Sequence, residues 1–451
     1  MARFATRAGN GDKLGAGARS VPVRFVLAAA GLSVGVAMPV HAQQAGELIT
    51  VPAVPYGYDR GRNVAVADRP RPDYDALGIR AGGFMLYPRV EAGIGGSDNV
   101  YLSEGKKTGD LYGIVSPSLR AQSNWSRHSL SASAAGGFRR FFDETPRNED
   151  TWRGSVRTRL DIGTAMTLSV EGQAGRVFET PFSGEVDANI AALSKYDYAT
   201  ASVRGQYSLG RTRLSLGYTR DDYSFRPIKF TDGTRFSQAS RDRTIDNVTG
   251  QVDFALSPSA SVYAKLNYEN ITYDVPLAAG IPKRSSQGYR AIGGLSVDLA
   301  SFLRGTIGLG YTVRDFKSEA YDAVRGLSAE AEVEYFYSDL TTVTLRASRK
   351  IEDATLFSNS AFFDTRGGVR VDHELLRNLI LNLGGEYSHQ SYKGVDRTND
   401  IYRISGGGKY LVSRSAFLSA AGTYSNRKSE DVLGRDTLGE LRGEVTLTFQ
   451  R

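Results

Sequence analysis

Residues 302–314 read FLRGTIGLGYTVR, and the two parities of this stretch differ completely. Leu303, Gly305, Ile307, Leu309, Tyr311 and Val313 take the odd positions, while Arg304, Thr306, Gly308, Gly310, Thr312 and Arg314 take the even ones. Successive side chains of a strand point to opposite faces, so the alternation predicts a long strand with one apolar and one wet, charged face. Leu303, Ile307, Leu309 and Val313 belong to the apolar side, with Tyr311 toward its outer edge. Arg304 and Arg314 belong to the wet side, near opposite ends of the strand.

The pattern recurs in residues 213–218 (RLSLGY), 261–268 (SVYAKLNY), 379–387 (LILNLGGEY) and 417–424 (FLSAAGTY), each ending in tyrosine. Each begins just after a short turn. The turns fall at Ser126/Arg127, Gly163/Thr164, Gly210/Arg211, Ser257/Pro258, Ala300/Ser301, Asp339/Leu340, Arg377/Asn378 and Ser413/Arg414, about 36 to 47 residues apart. That interval holds two strands and one loop, which makes the chain a repeat of hairpins. The connections at the other ends are longer and more polar: residues 96–110, 143–150, 180–195, 227–241, 274–286, 317–325, 353–365, 392–400 and 427–435.

Short turns on one side and long loops on the other are the asymmetry of an outer-membrane barrel. Eight turns join sixteen strands, and one strand entering after Gly83 and one leaving at Phe449 bring the number to about eighteen. The expected fold is therefore all-β, a transmembrane antiparallel up-and-down barrel of 16–18 strands over residues 80–451. In lipid every strand N–H and C=O must pair, so such a sheet has to close. Tyr218, Tyr268, Tyr311, Tyr387 and Tyr424 would form the outer aromatic girdle, where a ring with a polar tip meets both phases. The wet parity carries Arg213, Lys265, Glu269, Arg304, Arg346, Glu386, Arg442 and Glu444 as candidate pore-lining residues. Rings of one sign would set ion preference, whereas opposite signs on neighbouring strands would pair and brace the wall. Both readings fit this mixture.

Composition agrees with export and passage through a membrane by strands. The mean hydropathy is negative, which excludes a bundle of apolar spanning helices. Arg3, Arg7, Lys13, Arg19 and Arg24 precede an apolar run at residues 25–40, and Val40, His41 and Ala42 offer a small-residue cleavage pattern. Residues 1–42 are thus expected to be a signal peptide, with the outer membrane as destination. They hold five basic residues and one acidic one; without them 51 basic residues face 48 acidic ones, and the net charge falls from +7 to about +3. No nucleic-acid partner is expected from so small an excess. Residues 43–79 carry Pro52, Pro55, Pro70 and Pro72 with no sustained period, which suits an extended periplasmic segment or a plug.

Several short runs carry a family resemblance. Residues 69–80 (RPRPDYDALGIR), 82–88 (GGFMLYP), 95–100 (GGSDNV), 117–119 (PSL) and 123–128 (SNWSRH) resemble the opening of the Putative β-barrel porin 2 family. The last strand, residues 441–451 (LRGEVTLTFQR), is similar to the C-terminal signal by which outer-membrane barrels are recognised for insertion, although Gln450 and Arg451 follow the aromatic Phe449. The resemblance implies an outer-membrane barrel, often encoded beside exopolysaccharide synthesis and export genes, and brings no catalytic residues. Outer-membrane lipid, lipopolysaccharide and the barrel assembly machinery are the implied partners, with polysaccharide and its periplasmic export proteins as further ones.

No catalytic site is expected. Beyond the leader there are three histidines, His128, His373 and His389, and no cysteine, so no triad or transition-metal spacing is present. Ser388 adjoins His389 in sequence and must therefore point to the opposite face of a strand. No phosphate-cradling glycine loop leads into a helix, and no cofactor is expected. Asp143, Glu144, Asp221 and Asp222 are loop carboxylates able to attract calcium or lipopolysaccharide-bridging cations, or else a solvated face. The expected function is a channel for a hydrophilic cargo linked to exopolysaccharide export. The alternatives are a general small-solute porin or a plugged structural or adhesion barrel acting through its loops.

Overall fold

Alternation, turn chemistry and a closed hydrogen-bond ladder together set the architecture of the computed structural model, which describes residues 64–179, 182, 192–229, 234–299, 302–354, 361–431 and 434–451. Among these residues eighteen long strands form the wall. They are β1 (Phe84–Ser97), β2 (Asp110–Ser123), β3 (Ser129–Phe141), β4 (Glu149–Ile162), β5 (Met166–Phe178) and β6 (Lys195–Leu209). Next come β7 (Thr212–Phe225), β8 (Arg243–Ser257), β9 (Ala260–Tyr273), β10 (Ser286–Leu299), β11 (Leu303–Phe316) and β12 (Val324–Ser338). The last are β13 (Thr341–Asp353), β14 (Ala361–Leu376), β15 (Leu379–Tyr392), β16 (Thr398–Ser413), β17 (Ala416–Asp431) and β18 (Gly434–Gln450). Each pairs antiparallel with the next, and β18 returns to β1 from Arg89↔Gln450 to Ser97↔Arg442. Every strand of the wall pairs with both neighbours, as a lipid-embedded sheet requires; only at their outer ends do β12 and β13 part, beyond Ala329↔Arg349.

Seven of the eight turns lie where the sequence puts them; Ala300 and Ser301 fall outside the described residues, as do residues 1–63 with the whole predicted signal peptide. Gly210 shows why the tight turns hold their place: its φ of +57° is one that a side chain would oppose, and only Gly210 and Arg211 separate β6 from β7. Two loops are shorter than the sequence suggests. Residues 427–431 and 434–435 continue β17 and β18 in register as far as Asp431↔Gly434, and residues 353 and 361–365 belong to β13 and β14. Serine, lysine, arginine and acidic residues there read as loop, but on a strand that stands clear of lipid they cost nothing. Asp221 and Asp222 are likewise not loop residues: they sit on opposite faces of β7.

The two parities of residues 302–314 go to opposite faces of β11. Ile307, Leu309 and Tyr311 are exposed on the outside of the barrel, Leu309 at 68 %, while Arg304, Thr306, Thr312 and Arg314 are buried on the inside. For a soluble protein that outer face would be an aggregation hazard; in lipid it is the solvated one. Leu309→Arg is expected to cost about 2–4 kcal/mol of stability in lipid vesicles, measured by urea unfolding. A cost no larger than that of Leu309→Ala would remove Leu309 from the lipid face.

Among the described residues no helix is long and apolar enough to cross a membrane. The strands do the crossing. Tyr311 on β11 and Tyr335 on β12 lie eight residues apart in the ladder, since Tyr311 faces Leu327 and Leu303 faces Tyr335. Eight residues span roughly 26 Å along a strand, or about 20 Å of height at a tilt near 40°.

Candidate functional site: the lumen and its periplasmic mouth

All eight candidate pore-lining residues lie on the inner parity, and each meets an opposite charge. Arg213 on β7 stands 3.8 Å from Asp253 on β8. Lys265 on β9 donates to both carboxylate oxygens of Glu330 on β12, at 2.6 and 2.7 Å. Glu269 accepts from Arg314 on β11 at 2.6 Å, and Arg304 donates to Glu334 at 2.5 Å. Arg346 on β13 donates to Glu332 at 3.1 Å. Glu386 on β15 lies between Arg366 at 3.3 Å and Arg403 at 3.5 Å. Arg442 on β18 donates to Glu440 at 2.8 Å, and Glu444 accepts from Arg139 on β3 at 2.9 Å. With both signs paired, these residues brace the wall; they do not form a ring of one sign.

The braces reach beyond adjacent strands. Glu330 also accepts from Arg290 on β10 at 2.7 Å and from the Tyr263 hydroxyl at 3.0 Å. Three donors from β9 and β10 thus converge on one carboxylate of β12. Lys265 is 7 % exposed, so this is a desolvated cluster in which each charge depends on its partner. Tyr263 reaches Glu330 by lying flat along the wall over glycines. A Cβ on Gly294 would stand 2.3 Å from its ring, and one on Gly308 would stand 2.2 Å from its hydroxyl. Tyr112 uses Gly95 in the same way to reach Glu444, at 2.9 Å. The sequence reading missed both inward tyrosines. The signal was their shared parity with a charged residue, as Tyr263 shares with Lys265.

The short-turn end of the lumen is occupied by the chain itself. Val66, on a short turn of 3-10 helix (Val66–Asp68), is fully buried against Ile380, Leu411 and Phe417, which point inward from β15, β16 and β17. Its N–H donates to Thr342 Oγ1 of β13 at 3.1 Å. Arg69 and Arg71 both donate to Glu374 of β14, at 3.3 and 3.0 Å, and Arg69 also donates to the carbonyl of Asp339 at 2.5 Å. Arg414 donates to the carbonyl of Pro72 at 2.9 Å, and Gln450 to that of Tyr74 at 3.3 Å. Residues 64–78 are therefore fastened to strands from β13 to β18. Gly78 and Gly82, at φ +73° and +59°, turn the chain into β1.

Outward-facing aromatics fall at two levels of the wall. Tyr218, Tyr268, Tyr311, Tyr387 and Tyr424 all lie on the outer face of ascending strands, six to eight residues above the start of each. Tyr268 packs on Tyr289 with ring centroids 5.2 Å apart, and Tyr387 on Tyr402 at 5.0 Å. Above them the outer surface turns charged: Tyr218 donates to Asp246 at 2.7 Å, and Arg220 stands 3.3 Å from Asp222. A second set, Tyr207, Phe254, Tyr335, Tyr410 and Phe449, is exposed near the turns. This lower set was legible in the sequence only once the register was known.

Among the described residues no group of three or more acidic or histidine side chains is arranged to hold a metal. His389 pairs with Asp400 at 2.9 Å on the outer parity, while Ser388 on the inner parity bonds Asp364. Glu144 is engaged by the Tyr101 hydroxyl at 2.5 Å. Burial, then the bond to Glu144, pushes the Tyr101 phenol up to about 12; burial beside that ring lowers Arg147 to about 10. A phenol whose folded value is raised favours folding fully below its ordinary value near 10, and that contribution fades as pH rises through about 12. Proteolysis of the loop at residues 98–109 is accordingly expected to quicken above pH 10 in the native protein. Tyr101→Phe should remove that dependence, and an unchanged profile would discount the contact.

A family model described as Putative beta-barrel porin 2 matches residues 71–451. No curated protein matches the chain. Among solved structures, a variant of the ferric enterobactin receptor PfeA from Pseudomonas aeruginosa is similar at 8 % identity and a TM-score of 0.42, with 81 % of this chain and 80 % of that chain covered. The siderophore receptor PirA from Acinetobacter baumannii has 8 % identity and a TM-score of 0.41, at 81 % and 80 % coverage. OpdL from Pseudomonas aeruginosa has 12 % identity and a TM-score of 0.40, at 82 % and 99 % coverage.

Proposed function

This chain belongs to the Putative beta-barrel porin 2 family, and on that premise we propose that it is a non-enzymatic outer-membrane channel for a hydrophilic cargo, exopolysaccharide or its fragments. The observation that carries the reading is a closed eighteen-strand wall whose inner face carries charged and polar residues along its height, with apolar sockets such as Ile380, Leu411 and Phe417 between them. Walls of this strand number are too wide for side chains to fill and enclose water. Paired lumen charges leave little net field along the passage, which suits a long polyhydroxylated chain better than selection of small ions by sign. Lipid and lipopolysaccharide surround the wall, and periplasmic export proteins would deliver the cargo at the mouth. The chain would arrive through a signal peptide and the barrel assembly machinery.

A second reading is favoured by residues 64–78 in the mouth: a plugged barrel that acts through its outer loops. A deletion strain separates the readings. Loss of secreted polysaccharide with small-solute uptake intact supports the export channel. Loss of small-solute uptake alone supports a general porin, and loss of neither supports the plugged barrel.

A further inference from the structure

The outer end of β13 has a free edge. Its ladder with β12 stops at Ala329↔Arg349, although both strands continue outward. Beyond that point the β13–β14 end bends into the lumen. Ile351 and Phe363, which share the outer parity, pack with Val324 of the inner face of β12, and a Cβ on Gly326 would lie 2.8 Å from the Phe363 ring. The bend carries Asp353 across to β8, β9 and β11.

There it enters a ready-made cradle. Arg314 of β11 donates to one carboxylate oxygen of Asp353, and the Tyr273 hydroxyl of β9 donates to the other at 2.9 Å. Arg243 of β8 holds its Nε 3.8 Å from that second oxygen, buried and with no hydrogen-bond partner among the described residues. Its guanidinium is held in place over the Tyr223 ring at 5.1 Å. The donors stand on strands paired in one continuous ladder, whereas the carboxylate comes from a hairpin end that keeps its ladder with β14 and has lost the one with β12. With Asp353 withdrawn, Glu269 would be the one carboxylate left within 4 Å of either guanidinium among the described residues, with Glu179, Asp221 and Glu352 further off, leaving three donors aimed at one point.

We propose that this cradle is a carboxylate-binding site of the lumen, filled at rest by Asp353 and taken over by the acid groups of a uronate-type saccharide. The inference rests on the channel reading and narrows its cargo to an acidic glycan. A carboxylate restores both charge-assisted bonds that Asp353 gives up; a neutral hydroxyl restores neither at comparable strength.

The test is calorimetric titration of the detergent-solubilised full chain with trigalacturonate, with maltotriose as the neutral probe. Asp353→Asn is expected to bind trigalacturonate about tenfold more tightly than the native protein, because the resident competitor has lost its charge. Adding Arg314→Gln to that variant should abolish the gain, and maltotriose should bind neither. Equal affinity in native and Asp353→Asn proteins, or equal binding of the two saccharides, overturns the proposal. Should Asp353→Asn not fold, Arg243→Gln leaves the Arg314 contact in place. It is expected to weaken native binding, and unchanged binding again overturns the proposal. Titration needs no conduction, so bilayers that stay silent even with residues 64–78 replaced would sink the channel reading and leave the cradle standing.

Discussion

Replacing residues 64–78 by a glycine-serine linker is expected to raise single-channel conductance in planar bilayers by about tenfold, because an eighteen-strand wall without its mouth segment leaves an aqueous lumen. The segment closes the periplasmic side by two kinds of contact. Val66 fills an apolar socket made by Ile380, Leu411 and Phe417, and Glu374 ties down Arg69 and Arg71 together. The two can be separated experimentally. Val66→Asp would place a charge in the socket, which leaves the segment unable to seat, and should give most of the effect of the replacement. Glu374→Gln loosens only the arginines and should give brief openings on a low-conductance background. Identical conductance in the native and linker proteins would mean that the segment obstructs nothing.

Glu330→Ala is expected to lower stability by about 3–5 kcal/mol, the usual effect of leaving buried charges without their partner. Lys265 and Arg290 both donate to this carboxylate, together with the Tyr263 hydroxyl, and the lysine has little exposure to water. Urea unfolding in lipid vesicles, or the temperature at which the folded gel band is lost, reads the effect. The double variant Lys265→Met with Glu330→Leu should recover much of the loss, since apolar side chains of similar volume leave no buried charge behind. A small cost for Glu330→Ala with no recovery in the double variant would place the cluster in water, as a lumen-exposed group.

The sequence carries the strand pattern almost completely, for a physical reason. A strand has a side-chain period of two, and lipid on one side with water on the other reads that period as grease and polarity, visible in residues 302–314 without any knowledge of neighbours. Turn positions were equally legible, because residues such as Gly210 must adopt a backbone conformation that few others accept. Strand ends in water were not: nothing at residues 427–435 distinguishes a polar strand from a polar loop. Parity also says which face a charge occupies but is silent on its partner. That Lys265 and Arg290 meet Glu330, or that Arg243 and Arg314 meet Asp353, depends on the curvature of the wall and on where a ladder stops. The fate of residues 64–78 is the clearest case. Their prolines predict an extended segment, and only the closed barrel supplies the socket and carboxylate that draw it into the mouth. Local alternation thus determined a closed wall and its two faces, while the bracing of the lumen was decided by contacts between residues tens of positions apart or more, and the occupant of its mouth by contacts some three hundred positions apart.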